Sequence, residues 1–157
     1  MFKIALGEGE NQFMKIKQFF SSFLSVFGKK RSVLHDVSVL RRSIVRLKAK
    51  GDTQAMLEAT MKLSRLLLDQ GEHKEANVLL RDAASVAAKS KFEAEHAEVR
   101  IELANLAKAD GDMTSACEHW QIALQLYHDL NRKEDRDQIA QCMKECGCPS
   151  GWFLNSF

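Results

Sequence analysis

The sequence predicts an all-α fold of antiparallel helical hairpins, about six to seven helices in all, on three observations. The single proline, Pro149, lies near the C-terminal end, so no proline interrupts the chain before it. Apolar residues recur at spacings of three and four, not in the alternation that marks half-buried strands. The third observation is a skeleton written twice. "GEHKEANVLLRDAASVAAKS", from Gly71 to Ser90, is echoed by "GDMTSACEHWQIALQLYHDL", from Gly111 to Leu130, with Gly71/Gly111, Ala76/Ala116, Leu80/Trp120 and Ala83/Ala123 in register.

The elements follow in order. In "FMKIKQFFSSFLSVFGKKR", Phe13, Ile16, Phe20, Phe23, Leu24 and Phe27 share one helical face with Phe19 and Val26 beside it, flanked by Lys15, Lys17, Lys29, Lys30 and Arg31. Two readings stay open for this face, formed chiefly by Phe19, Phe20, Phe23 and Phe27 with Lys29, Lys30 and Arg31 at its end. It is either the first helix of a divergent hairpin over 12–50, packing on Val37, Leu40 and Ile44, or an amphipathic helix at an anionic membrane surface. Residues 1–11, which include "GEGE", are expected to be disordered, and Met14 is an alternative start to Met1.

Val33, Val37, Leu40, Ile44 and Leu47 draw one apolar stripe from about Ser32 to Lys50, ended by Gly51. Met56, Leu57, Leu63, Leu66 and Leu67 mark a second helix up to Gln70, where Gly71 can take a left-handed backbone without a Cβ clash. A third runs to about Ser90. A fourth, with Val99, Leu103, Leu106 and Ala107, stops at Gly111; a fifth, with Trp120, Ala123, Leu124 and Tyr127, stops near Asn131. Ile139, Cys142 and Met143 belong to a sixth, ended by Gly147 and Pro149. Each helix is apolar along one stripe, so none is stable alone, and the short turns favour antiparallel pairs.

Upstream of the two glycines the match continues through Glu58/Glu98, Leu63/Leu103, Ser64/Ala104, Leu66/Leu106 and Leu67/Ala107. A period of 40 residues lies within the range of stacked helical hairpins. Small residue, glycine at the turn, alanine, a large apolar residue four on and alanine three further is a pattern that resembles the tetratricopeptide repeat family, in its longer-period variety. "SACEHWQIALQLYHDLNRKED" matches best, and the resemblance covers residues 53–130. It implies a short right-handed solenoid of two repeats, with 133–157 as a capping helix and apolar tail. It also implies a concave groove for a peptide or helix, formed by Glu58, Met61, Arg65 and Leu68 of one repeat and Glu98, Ile101, Asn105 and Lys108 of the next.

Composition narrows the function classes. At 157 residues and 45% hydrophobic content the chain can bury one real core. Residues 1–50 hold eleven Lys/Arg against three Asp/Glu, whereas the remainder holds twelve against eighteen, so a basic head precedes an acidic body. No run of about 18 uncharged apolar residues marks a membrane-spanning helix.

The five histidines, at 35, 73, 96, 119 and 128, form no H-E-x-x-H or comparable pair and are expected at the solvated surface. Cys142, Cys146 and Cys148 could take zinc only with a fourth ligand such as Cys117 or His119. Four reduced thiols are the expected state. The aromatic tail "GWFLNSF" is expected to fold back over the last helix or to enter a neighbouring molecule's groove.

The expectation is therefore a non-enzymatic scaffold or adaptor in the bacterial cytoplasm, with no cofactor, no metal and no nucleic-acid partner. It would bind a protein or peptide, or a second copy of itself. The alternative is a membrane-peripheral adaptor held by the Phe-rich helix.

Overall fold

The computed structural model describes residues 35–152, and these are all-α, with no strand among them. Of these, residues 39–152 belong to one compact unit. The expectations for 1–11, for the first hairpin up to residue 34, for the face of Phe19, Phe20, Phe23, Phe27, Lys29, Lys30 and Arg31, and for 153–157 lie outside the described residues.

The elements are α1 (35–50), α2 (Thr53–Asp69), α3 (His73–Ser90), α4 (Glu93–Ala109), α5 (Met113–Asp129) and α6 (Lys133–Glu145), followed by a 3-10 turn over Ser150–Trp152. No helix among the described residues is long and apolar enough to cross a membrane.

One turn ends every helix. Its first residue takes a left-handed backbone at Gly51, Gly71, Lys91, Gly111, Asn131 and Gly147, with φ between +55° and +82°. At each, two hydrogen bonds close the helix end: Gly71 N donates to Leu68 O at 2.9 Å and Glu72 N to Leu67 O at 2.9 Å, and Gly111 N to Lys108 O and Asp112 N to Ala107 O repeat the pair. This Schellman arrangement satisfies carbonyls that a helix end would otherwise leave bare. The first five turns fall at intervals of 20 residues. The helix starts at Thr53, Glu93 and Lys133 are therefore 40 residues apart, as are His73 and Met113.

Side chains obey the same period. Ala76 and Ala116 are fully buried, Ala83 and Ala123 nearly so, and Leu80 and Trp120 fill the equivalent place at 0% and 1% exposure. Alanine permits close helix approach; the large residue between two alanines then occupies the space left to the next helix. Ser64, aligned with Ala104, is equally buried, and its hydroxyl donates to Thr60 O at 2.9 Å instead of entering the core as an orphan.

Each helix from α2 to α6 packs on the next in sequence, and α2 also meets α4. Two apolar clusters result. One joins α2, α3 and α4 through Leu57, Met61, Leu80, Val99 and Leu103; the other joins α4, α5 and α6 through Ala104, Trp120, Leu124, Tyr127, Ile139 and Met143. Trp152 packs against the second cluster, so this first part of the aromatic tail does fold back.

Candidate binding surfaces

The expected groove needs one correction. Met61 is 4% exposed and belongs to the core between α2, α3 and α4, because Leu57 and Met61 lie one turn apart on the stripe that faces α3. It cannot floor a groove. Ile101 is half-buried against the Trp120 cluster, whereas Glu58, Arg65, Asn105 and Lys108 are exposed and Leu68 and Glu98 are half-buried.

Both cations of that set already have internal company. Arg65 Nε donates to Glu102 Oε1 at 2.6 Å, tying α2 to α4. Lys108 Nζ donates to Cys146 Sγ at 3.3 Å and stands 5.9 Å from the centre of the Trp120 ring. The hydrogen bond to Cys146, with the Glu145 carboxylate as a smaller cause, raises the Lys108 pKa. Gln54 Nε2 adds a bond to Glu95 Oε1 at 2.7 Å between the same helix pair as Arg65. Among the described residues, the α2–α4 face thus presents Glu58, Glu95, Glu98 and Glu102 together with Arg65 and Lys108.

The cysteines overturn the expectation of four free thiols. Cys117 in the first turns of α5 and Cys148 after α6 are joined by a disulfide, with Cα atoms 5.6 Å apart and both residues buried. The hydrogen bond from Cys148 N to Met143 O, part of the turn that ends α6, brings the second cysteine back over α5. Only Cys142 and Cys146 stay as thiols. That leaves too few ligands for the zinc set considered from sequence, and no cluster of three His, Cys, Asp or Glu side chains among the described residues could hold a metal ion. Burial, with Cys146 alongside, pushes the Cys142 thiol up and keeps it protonated and a poor nucleophile.

The histidines divide as well. His35 and His128 are exposed, and His73 is partly so, with Nδ1 2.7 Å from Asp110 Oδ1. His96 and His119, expected at the solvated surface, are instead half-buried around Arg100. Arg100 Nε donates to His96 Nε2 at 3.1 Å, and Arg100 Nη1 lies 3.3 Å from His119 Nδ1. A guanidinium can only donate, so both of these ring nitrogens are acceptors and both rings are neutral. Burial, followed by the charges of Arg100 and Arg81, lowers His119 to about 4; burial and Arg100 lower His96 in the same direction. The spacing of these residues in the sequence gave no sign of the cluster, which arises only when α3, α4 and α5 pack.

A third surface feature is an open cleft of about 220 Å³ at the α5–α6 turn, lined by Tyr127, His128, Asn131, Lys133 and Arg136. Arg136 there is bonded to Asp137 and His128 to Asp129. Its lining holds no cysteine, serine or threonine.

No family model matches the chain, and no curated protein matches it.

Proposed function

We propose that the chain is a non-enzymatic protein-interaction module, a short stack of helical hairpins of the tetratricopeptide type whose α2–α4 face receives a peptide or helix of a partner. The observation that carries this reading is the 40-residue recurrence of helix starts at Thr53, Glu93 and Lys133, with the same turn at every helix end. Repeated hairpins that nest alike set their first helices side by side, and residues on that row which the core does not need are free for a guest. With Met61 withdrawn into the core, the contact set is Glu58, Arg65, Leu68, Glu98, Ile101, Asn105 and Lys108. Glu95 and Glu102 extend it. Its acidic balance favours a partner segment with lysine or arginine beside apolar anchors.

The test is a comparison of wild-type chain with Glu58→Lys/Glu98→Lys and with Asn105→Trp as baits, each first shown by circular dichroism to be folded with an unchanged melting temperature. A partner retained by the wild type and lost in both variants is expected. Retention of the same partner by both refutes the assignment of this face. A bacterial cytoplasmic setting was expected from the sequence; the Cys117–Cys148 disulfide favours an oxidising compartment instead, since such bonds persist there.

A further inference from the structure

We propose that Cys142 and Cys146 at the end of α6, with Lys108 of α4 beside them, form a two-coordinate site for a univalent soft metal ion, copper(I). These are the two thiols that remain once Cys117 and Cys148 have paired. The site does not depend on the peptide-binding reading of the α2–α4 face.

Backbone geometry brings the sulfurs together. Cys146 N donates to Cys142 O at 3.0 Å, so the two residues stand one full helical turn apart and project from the same side of α6. Side chains at that spacing have Cβ atoms about 5–6 Å apart, a gap that two sulfurs with one ion between them can span. Both cysteines are half-buried and pack against the same apolar cluster, that of Trp120 and Met143. Cys148, two residues after Cys146, is bonded to Cys117 of α5, and its N–H donates to Met143 O at 2.9 Å. The turn that carries Cys146 is therefore held on both sides before an ion arrives, which lowers the ordering cost of binding.

The donor set selects the ion. Zinc asks for four ligands, and no group of three His, Cys, Asp or Glu side chains among the described residues could begin to supply them. Thiolate is a soft ligand that favours copper(I), for which two sulfurs in line make a complete shell. Charge selects in the same direction. As each sulfur takes the ion its thiol proton passes to solvent, so two thiolates around one univalent cation carry a single net negative charge. Lys108 Nζ, 3.3 Å from Cys146 Sγ, stands where its ammonium offsets that charge, and an ammonium can only donate to sulfur. The Trp120 ring, its centre 5.9 Å from the same nitrogen, helps to keep the ammonium there. Glu145, which also faces the thiols, is engaged by Gln141 Nε2 at 2.7 Å.

The test is a titration of the whole oxidised chain with copper(I) under nitrogen, in competition with bicinchoninate. Ascorbate keeps the copper univalent and leaves the disulfide intact. One ion per chain is expected, with an ultraviolet sulfur-to-copper charge-transfer band and unchanged sedimentation. Cys142→Ser and Cys146→Ser should each weaken binding about 100-fold or more, since one thiolate lacks the second that closes the chelate. Lys108→Met, at an exposed position that leaves the core intact, should weaken it about tenfold and keep the stoichiometry. Circular dichroism first establishes that each variant is folded, and alanine replaces serine where a serine variant is not. Any of four results overturns the proposal: no copper retained against the competitor, more than one ion per chain, dimer formation on adding copper, or affinity within about threefold of wild type in a single-cysteine variant or in Lys108→Met.

Discussion

Opening the Cys117–Cys148 bond should unlatch the C-terminal end from α5, and the size of the effect follows from the chain it closes. The two residues are 31 apart. Loop-closure entropy for a ring of that length amounts to about 3.7 kcal/mol at 25 °C in the denatured-state account of disulfides. For a unit of this size that corresponds to a fall in melting temperature of about 10–18 °C. The measurement is a pair of thermal unfolding scans, one oxidised and one in excess phosphine reductant, with the Cys117→Ala/Cys148→Ala variant as a control that stays insensitive to reductant. Thiol titration of the unfolded oxidised chain should find only Cys142 and Cys146 reactive. Oxidised and reduced chains melting within about 2 °C of each other would refute the reasoning. Four reactive thiols in the oxidised chain would remove its premise.

Other expectations follow from the same structure. Trp120→Ala, at a fully buried position, should cost about 3–5 kcal/mol in urea unfolding, and its counterpart Leu80→Ala about 2–5 kcal/mol; a loss below about 1 kcal/mol at either site contradicts the packing described. Gly71→Ala meets no atom within 4 Å, so its cost is backbone alone, about 1–2 kcal/mol at a φ of +79°. Lys91→Gly, at a φ of +58°, should stabilise by about 0.5–1 kcal/mol on the same logic, and destabilisation there would refute it. His119 is lowered to about 4 in the fold from 6.5, so between those values the unfolded chain binds the proton that the folded chain refuses. Its contribution is complete above pH 6.5 and is lost as pH falls towards 4, about 1 kcal/mol between pH 7 and 5 after allowance for partial exposure. Guanidinium midpoints for wild type and His119→Asn should therefore converge as pH falls, and a constant gap would disprove the assignment.

The helical skeleton was legible because its causes are local. A left-handed turn selects glycine at 51, 71, 111 and 147, and a close helix approach selects alanine at 76, 83, 116 and 123. The third helix was read to about Ser90 and ends there, but the left-handed backbone of Lys91 has no signature of its own, since lysine carries no left-handed preference. Met61 was misread because its place was borrowed from a family pattern, whereas its neighbours Leu57 and Ser64 put it on the buried side of α2. The disulfide and the Arg100 cluster depend on residues brought together by α4, α5 and the turn after α6, so no periodicity in the chain announces them.

The uniform turn has an evolutionary and engineering corollary. Where every joint has one geometry and neighbours supply most contacts, the molecule can be lengthened or shortened by whole 40-residue modules without redesign of the seams. A copy of 71–110 inserted after Asp110 should be accommodated as an additional rung, whereas an insert of some other length would set the next helix facing the wrong way.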